Sequence, residues 1–373
     1  MENETKITTA GQNANARDDE KYMRRCIQLA LNAEGRTYPN PMVGAVVVCD
    51  GCIIGEGWHH KAGGPHAEVN AIASVCDPRM LTRSTIYVSL EPCAHQGRTP
   101  PCADLIISKR IPRVVVGCRD TFAKVDGRGI MKLREAGADV TVGVLEDECR
   151  WLNRRFFTIQ EKGRPYVTLK WARTADGFIG DVVDGHPTPL AVSGAEALTR
   201  EHRRRTTEDG ILVGAGTIRS DNPRLTPRLW QGPAPVRLVL APTLHLPPHA
   251  AALTDGGRTV VVNRTVEAEA EAVRYVSRPL ADGNVARDAL DVAKAEGLNS
   301  IIVEGGAQTL SAFIAEGLWD EAYVYESDTA LGHAGVASPA LCPSILLDAT
   351  RAGHCTLRHY ANPTAAAIPH LRQ

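Results

Sequence analysis

Two stretches decide the reading of this chain: Gly64-Pro65-His66-Ala67-Glu68-Val69-Asn70-Ala71-Ile72, and Ser89-Leu90-Glu91-Pro92-Cys93-Ala94-His95-Gln96-Gly97-Arg98-Thr99-Pro100-Pro101-Cys102. His66, Cys93 and Cys102 make a soft nitrogen–sulfur donor set suited to Zn²⁺. Three protein donors leave a fourth position open, which marks a catalytic rather than a structural site. A cation held there lowers the pKa of water toward neutrality. Proton traffic then needs a carboxylate outside the donor set, and Glu68 is placed for it. His66 follows Gly63-Gly64-Pro65 and opens the apolar-periodic run Val69, Ile72, Ala73, which predicts a helix over 66–75 with His66 and Glu68 in its first turn. Thr99-Pro100-Pro101-Cys102 predicts a second helix start, with Thr99 as N-cap and Pro100 at the first helical position. Such an N-terminus favours anions and helps hold Cys102 as a thiolate.

Working outward, 373 residues suggest two domains. A net charge of −1 supplies no global field toward nucleic acid or an acidic membrane surface, and aromatic-basic interleaving for single strands is missing. There is no run long and apolar enough for a membrane span and no secretory leader pattern. The ten cysteines follow no disulfide-framework spacing, so the chain reads as cytoplasmic. Cys49-Asp50-Gly51-Cys52 spells C-x-x-C but straddles an Asp-Gly turn between two strands, Met42–Cys49 and Cys52–Trp58.

Residues 1–17 are polar and read as a disordered tail. A helix is expected over 18–34, strands at Ser84–Ser89, Arg113–Gly117 and Val140–Val144, and helices at 101–110, Gly129–Ala136 and about 146–160. This alternation predicts a layered α/β domain over 18–160. Glu161-Lys162-Gly163-Arg164-Pro165 is a polar boundary, and a second domain is expected over 165–373. In it, glycine-rich turns follow the apolar strands Ile211–Val213 and Ile301–Val303, where backbone N–H groups can approach a phosphate. No G-x-G-x-x-G is present, so a Rossmann site is not indicated. Arg205, Arg224 and Arg228 are candidates for bidentate phosphate binding. Glu304 ends a buried strand, where a carboxylate must be paired or used.

The H-x-E and P-C…P-C pattern resembles the zinc-dependent cytidine/deoxycytidylate deaminase superfamily. That superfamily commonly spaces its cysteines three apart; here Cys93 and Cys102 are nine apart. The longer P-C-x-H-x-G-R-T-P-P-C form resembles the deaminase half of bifunctional riboflavin-biosynthesis deaminase-reductases. The resemblance implies a cytidine-deaminase-like α/β/α domain followed by a dihydrofolate-reductase-like α/β domain. It also implies one Zn²⁺ per chain, NADPH, a small-molecule phosphoribosylaminopyrimidine substrate and a homo-oligomer (dimer or tetramer), with no nucleic-acid or membrane partner. Deamination of 2,5-diamino-6-(5-phosphoribosylamino)pyrimidin-4-one would precede reduction of its ribosyl group to ribityl.

Residue by residue, the resemblance puts Asn40 (in Pro39-Asn40-Pro41-Met42-Val43-Gly44) on the pyrimidine and a basic residue of His59-His60-Lys61 near the ribose phosphate. His95 is either a substrate contact or support for the ligands. Asp120–Gly129 matches the family's segment except at Thr121, Phe122, Ala123 and Lys124. In the second half, Lys170-Trp171-Ala172-Arg173-Thr174-Ala175-Asp176-Gly177 resembles the opening strand of the reductase. Val213–Thr217, Asp221–Thr226 and Val303–Ala307 match further on. Substrate contacts are implied at Lys170, Arg205, Leu225, Arg228 and Glu304, and cofactor contacts at Ala172, Thr217, Asp221, Gly305 and Gly306. Arg264 could meet a 2′-phosphate. Two segments depart from the family: Pro189-Leu190-Ala191-Val192-Ser193 lacks the tryptophan of S-x-W-I-T, and Ala241-Pro242 replaces Asp-Ser. These losses favour, as a rival, a deaminase whose second half is merely structural. A nucleic-acid base deaminase and a closed four-ligand zinc module are the other rivals.

Overall fold

The computed structural model describes residues 3–94, 100–121 and 127–365, with side chains from residue 16. His95 and Thr99, and Phe122 through Val125, therefore lie outside the described residues. The chain divides into two compact units, one running to Glu161 and one beginning at Lys162.

The first unit runs α1 (Asn3–Leu31), β1 (Gly44–Cys49), β2 (Cys52–Trp58), α2 (Ala67–Ala73), β3 (Thr85–Leu90), α3 (Cys102–Ser108), β4 (Arg113–Cys118), α4 (Arg128–Glu135), β5 (Asp139–Val142), α5 (Glu146–Leu152) and α6 (Arg154–Lys162). Its sheet has the order β2-β1-β3-β4-β5, antiparallel at β2/β1 and β1/β3 and parallel from β3 onward. Strand residues alternate between two cores. Ala45, Val47, Ile86, Val88, Val114 and Val116 pack with Ala71, Ile72, Ile106 and Leu133 from α2, α3 and α4. Val46, Val48, Tyr87 and Val115 pack on the other face with Met23, Cys26, Cys149 and Phe157 from α1, α5 and α6. Helices on both faces bury the strands twice, which is why they read as unbroken apolar runs.

Two local outcomes differ from the sequence expectation. Helix α1 begins at Asn3 and so covers residues expected as a tail. No proline precedes Pro39, and a helix nucleated on the packed Tyr22–Leu29 segment extends one bond per residue. The single helix expected over 146–160 is two, because Asn153 between them spends its side chain on Met42: Oδ1 accepts the Met42 N–H and Nδ2 donates to the Met42 carbonyl, both at 2.8 Å. The Cys49/Cys52 pair flanks the turn as expected, with Asp50 and Gly51 both at positive φ (51° and 75°).

The second unit runs β6 (Tyr166–Arg173), β7 (Phe178–Val183), β8 (His186–Thr188), α7 (Ala195–Arg205), β9 (Gly210–Gly214), α8 (Ala215–Asp221), β10 (Val236–Leu240), α9 (Ala251–Thr254), β11 (Thr259–Asn263), β12 (Ala268–Ala270), β13 (Val273–Ser277), α10 (Val285–Ala295), β14 (Ser300–Gly305), α11 (Ala307–Ala315), β15 (Glu321–Ser327), β16 (Val336–Ala337), β17 (Ile345–Ala352) and β18 (Cys355–Ala361). The ten-stranded sheet has the order β12-β13-β11-β10-β9-β14-β6-β15-β18-β17, parallel from β13 to β15 and antiparallel at both margins. A small sheet β16-β7-β8 completes the unit. Here too alternate strand residues feed opposite cores, with α10 and α11 on one face and α8 and α9 on the other. In open α/β sheets ligands bind beyond the carboxyl ends of the strands. That rule directs attention to the ends of the neighbouring strands β9, β14 and β6.

Candidate active sites

In the first unit, β3 ends at Leu90 and delivers Glu91-Pro92-Cys93, while α2 and α3 present their N-termini to the same place. His66 is the N-cap residue of α2, extended at φ −73° and ψ 164°, one position earlier than the first turn expected for it. Cys102 is the first residue of α3, behind Pro101; the Thr99 cap lies outside the described residues. The donor atoms of His66, Cys93 and Cys102 lie within 4.8 Å of one another. His66 Nδ1 stands 3.5 Å from Cys93 Sγ and 3.3 Å from Cys102 Sγ. A tetrahedral zinc site has edges of about 3.3–3.8 Å, so these residues fit the metal. No further His, Cys, Asp or Glu joins this group among the described residues, and His95 lies outside them.

The electrostatics suit the same chemistry. Glu68 is 3% exposed and lies in the first turn of α2. Burial, with Cys93 nearby, pushes its carboxyl up to about 7, so it exchanges protons near neutrality. The Cys102 thiol hydrogen-bonds to Cys93, which with His66 holds the first thiolate of the pair well below the ordinary thiol range. The Cys102 N–H also donates to Cys93 Sγ at 3.4 Å. A cavity of about 340 Å³ opens here, lined among others by Asn40, His66, Glu68, Cys93, Asp120 and Phe156.

Two supports were not legible in the sequence. Glu91, 4% exposed, accepts backbone N–H bonds from Asp120, Gly127, Gly129 and Ile130 at 3.0–3.3 Å. It thereby caps α4 from across the site and ties that helix to the segment bearing Cys93. His59, considered above as a phosphate contact, is instead buried. Its Nδ1 donates to the Pro65 carbonyl at 3.0 Å, leaving Nε2 to accept from Asn40 Nδ2 at 3.2 Å. The Pro65 carbonyl can only accept, which fixes this tautomer and holds the Asn40 amide. Burial lowers the His59 pKa, so it is a neutral brace; His60 and Lys61 are the exposed members of that triplet.

In the second unit the arginine assignment needs correction. Arg205 was expected to grip a phosphate with both edges. Its Nε and Nη2 donate instead to the two Glu304 oxygens at 2.7 and 2.6 Å, and its Nη1 to the Thr226 carbonyl at 3.1 Å. Burial opposes ionisation of Glu304, but Arg205, aided by Lys170, overcomes it and holds the carboxyl below its ordinary value. This pairing satisfies the buried carboxylate that the sequence flagged. Arg224 and Arg228 make no hydrogen bond or ion pair among the described residues. They line, with Arg205, Asp221 and Leu225, a cavity of about 400 Å³. Leu225 is 2% exposed, so its side chain is buried.

Thr217, Gly305 and Gly306 come together: Thr217 Oγ1 accepts the Gly306 N–H at 2.9 Å, and Gly305 sits at φ 156°, where a side chain is strained. Lys170 and Ala172 lie on β6 beside β15. Arg264 donates to the Pro279 and Leu280 carbonyls and so pins a loop. The loop lacking tryptophan is seated by its own backbone, the Val192 carbonyl accepting from His354 Nε2 at 3.1 Å.

Residues 16–118 match the cytidine and deoxycytidylate deaminase zinc-binding region, and residues 165–357 match the RibD C-terminal domain. The riboflavin biosynthesis protein RibD of Aquifex aeolicus is 39% identical over 84% of this chain and 88% of its own. The chain belongs to the RibD family. RibD of Escherichia coli is 34% identical over 84% of this chain and 89% of its own. The crystal structure of a diaminohydroxyphosphoribosylaminopyrimidine deaminase/5-amino-6-(5-phosphoribosylamino)uracil reductase from Thermotoga maritima matches with a TM-score of 0.83 at 36% identity, covering 93% of this chain and 99% of that one. Like other RibD proteins, the chain joins a zinc-binding deaminase domain to a reductase domain. Relatives match across both halves, which does not favour a second half reduced to scaffold.

Proposed function

We propose that the first unit hydrolytically deaminates 2,5-diamino-6-(5-phosphoribosylamino)pyrimidin-4-one, and that the second reduces the resulting 5-amino-6-(5-phosphoribosylamino)uracil to its ribitylamino form. The observation behind the first step is the convergence of His66, Cys93 and Cys102 within 4.8 Å, with buried Glu68 on the same cavity wall. His66, Cys93 and Cys102 hold the zinc, which when bound supplies an activated water. Glu68 takes a proton from the attacking water, gives one to the ring nitrogen and passes one to the departing ammonia. Asn40, held by His59, orients the pyrimidine. Oxygen from water thus replaces the amino group, and ammonia leaves.

In the second unit, Arg224 and Arg228 take the substrate phosphate, the charges that their cavity leaves unpaired. Lys170 and Glu304 meet the sugar and its linking nitrogen, with Arg205 keeping Glu304 ionised. Thr217, Asp221, Gly305 and Gly306 hold NADPH, with Ala172 beside it, and the N-terminus of α11 offers N–H groups to a cofactor phosphate. Bound NADPH supplies the hydride that turns ribosyl into ribityl.

The same reading places the enzyme in a reducing cytoplasm, where its ten cysteines stay free. It also makes the enzyme a homo-oligomer, for which the edge strand β17, with Ile345 and Leu346 more than 40% exposed, offers a surface.

Product mass after incubation of the zinc-loaded protein with the diaminopyrimidine, with and without NADPH, tests both steps. Ribitylated product only with NADPH supports the whole reading. Deaminated product that goes no further would remove the reductase half of it.

A further inference from the structure

The segment framing the arginine cavity is clasped from one face of α7 at two points. Arg205 donates to the Thr226 carbonyl, and three residues earlier His202 accepts the Leu229 N–H on Nδ1 at 3.0 Å. Positions three apart on a helix share a face, so one rigid element sets both ends of the Thr226–Leu229 stretch. His202 is 2% exposed, so its bond is sheltered from water. Because Nδ1 accepts, the ring is neutral with its proton on Nε2. Burial, reinforced by Arg205 and Arg228, keeps it so by lowering its pKa to about 4.

Arg228 directly precedes Leu229. No hydrogen bond or ion pair fixes its guanidinium among the described residues, so the protein directs that charge through the main chain from which the side chain springs. Leu225, directly before the clasped stretch, stands at φ 58°. A left-handed non-glycine residue persists only where its surroundings over-determine it.

We propose that His202 is a positioning residue of the reductase half, holding Arg228 at the phosphate end of the substrate through the Leu229 N–H. This rests on the reading above, in which the cavity receives the substrate phosphate. His202 touches the main chain and not the phosphate. Its removal therefore costs substrate affinity and spares the hydride step.

The test is steady-state reduction of 5-amino-6-(5-phosphoribosylamino)uracil by the full zinc-loaded chain. His202→Leu should raise KM for that substrate about tenfold, the loss of one buried hydrogen bond, with kcat within about twofold. KM for NADPH should not move. His202→Asn should restore KM to within about threefold, because the Asn Oδ1 reaches the place of Nδ1 and accepts the same N–H. In an Arg228→Ala background, His202→Leu should add nothing, since the two act through one contact.

An unchanged KM in His202→Leu, while Arg228→Ala raises it, overturns the proposal and leaves the phosphate reading intact. A full multiplication of the two effects, or no rescue by Asn, overturns it as well. If Arg228→Ala itself leaves KM unmoved, the phosphate reading falls and takes the proposal with it. Should His202→Leu fail to fold, amide hydrogen exchange of the wild-type chain decides. Leu229 must be protected, and further protected by inorganic phosphate; free exchange of that amide overturns the clasp.

Discussion

Replacing Arg205 by leucine should convert Glu304 from a paired carboxylate into a destabilising buried charge, and the size of the effect can be worked out. Glu304 is inside the protein, and Arg205 supplies two of its hydrogen bonds, at 2.7 and 2.6 Å. Burial raises its pKa while Arg205 lowers it, and in the native protein the lowering prevails. A carboxyl with a depressed folded pKa contributes stability above its unfolded pKa, and that stability is lost as pH falls through the folded value.

Without Arg205, burial prevails and the folded pKa rises, so the sign reverses. Stability is then highest below the unfolded pKa and falls as pH rises toward the new folded value. The variant escapes a buried charge by protonating Glu304. This costs about 1.4 kcal/mol per pH unit above an unfolded pKa of about 4.3, setting a ceiling of about 3.7 kcal/mol at about pH 7 and about 1 kcal/mol at about pH 5. Lys170 remains near Glu304 and keeps the real cost under that ceiling, at about 2–3.5 kcal/mol near neutrality.

The assay is hydrogen exchange of the buried amides of β9 and β14, corrected for intrinsic rates, which reports opening of the second unit without requiring the two units to unfold together. A penalty equal at both pH values, or under about 1 kcal/mol at about pH 7, would refute the reasoning, because Arg205 would then not be what lets Glu304 stay charged.

Glu68→Gln keeps the fold and the donor set but cannot carry protons, so ammonia release should fall by at least about 100-fold with zinc content unchanged; substantial activity in this variant would sink the assignment. Gly129→Ala would place a methyl 1.9 Å from the Pro92 carbonyl oxygen. Backbone must then move beside Cys93, and deamination should drop by about 100-fold while NADPH oxidation with the uracil substrate is kept. Wild-type deamination rates in this variant would show that α4 and the Cys93 segment are not in register-sensitive contact. Chelation of zinc should likewise abolish ammonia release and leave NADPH oxidation with the uracil substrate in place; a parallel loss of both would contradict the assignment of the metal to the first step alone.

The candidate metal donors stood out in the sequence because each sits at a local feature. His66 follows a Gly-Gly-Pro break and opens a helix, and Cys93 and Cys102 each follow a proline. The strands were readable because burial on both faces leaves long apolar runs such as Gly44–Cys49 and Arg113–Cys118. Even so, His66 proved to be a cap rather than a first-turn residue, since helix ends are set by hydrogen bonds that composition does not encode.

The supporting residues were hidden for a different reason. Glu91 stood inside the quoted motif, but its partners lie 29 to 39 residues away on another element. Nothing in the local pattern indicates that one carboxylate will receive four backbone N–H groups. His59 and Asn40 are 19 residues apart, Arg205 and Glu304 are 99 apart, and each pair meets only because strands and helices from distant stretches are stacked together. Sequence alone therefore determined which chemistry is possible: a three-donor zinc site with a free carboxylate, a second domain with glycine-rich strand ends, and a surplus of arginine beside them. Tertiary structure decided which of those groups are free to act. It committed Arg205 to Glu304 and His59 to Asn40, and left Arg224 and Arg228 facing the cavity. Charge pairing over long sequence separations depends on packing in three dimensions, which local propensity does not contain.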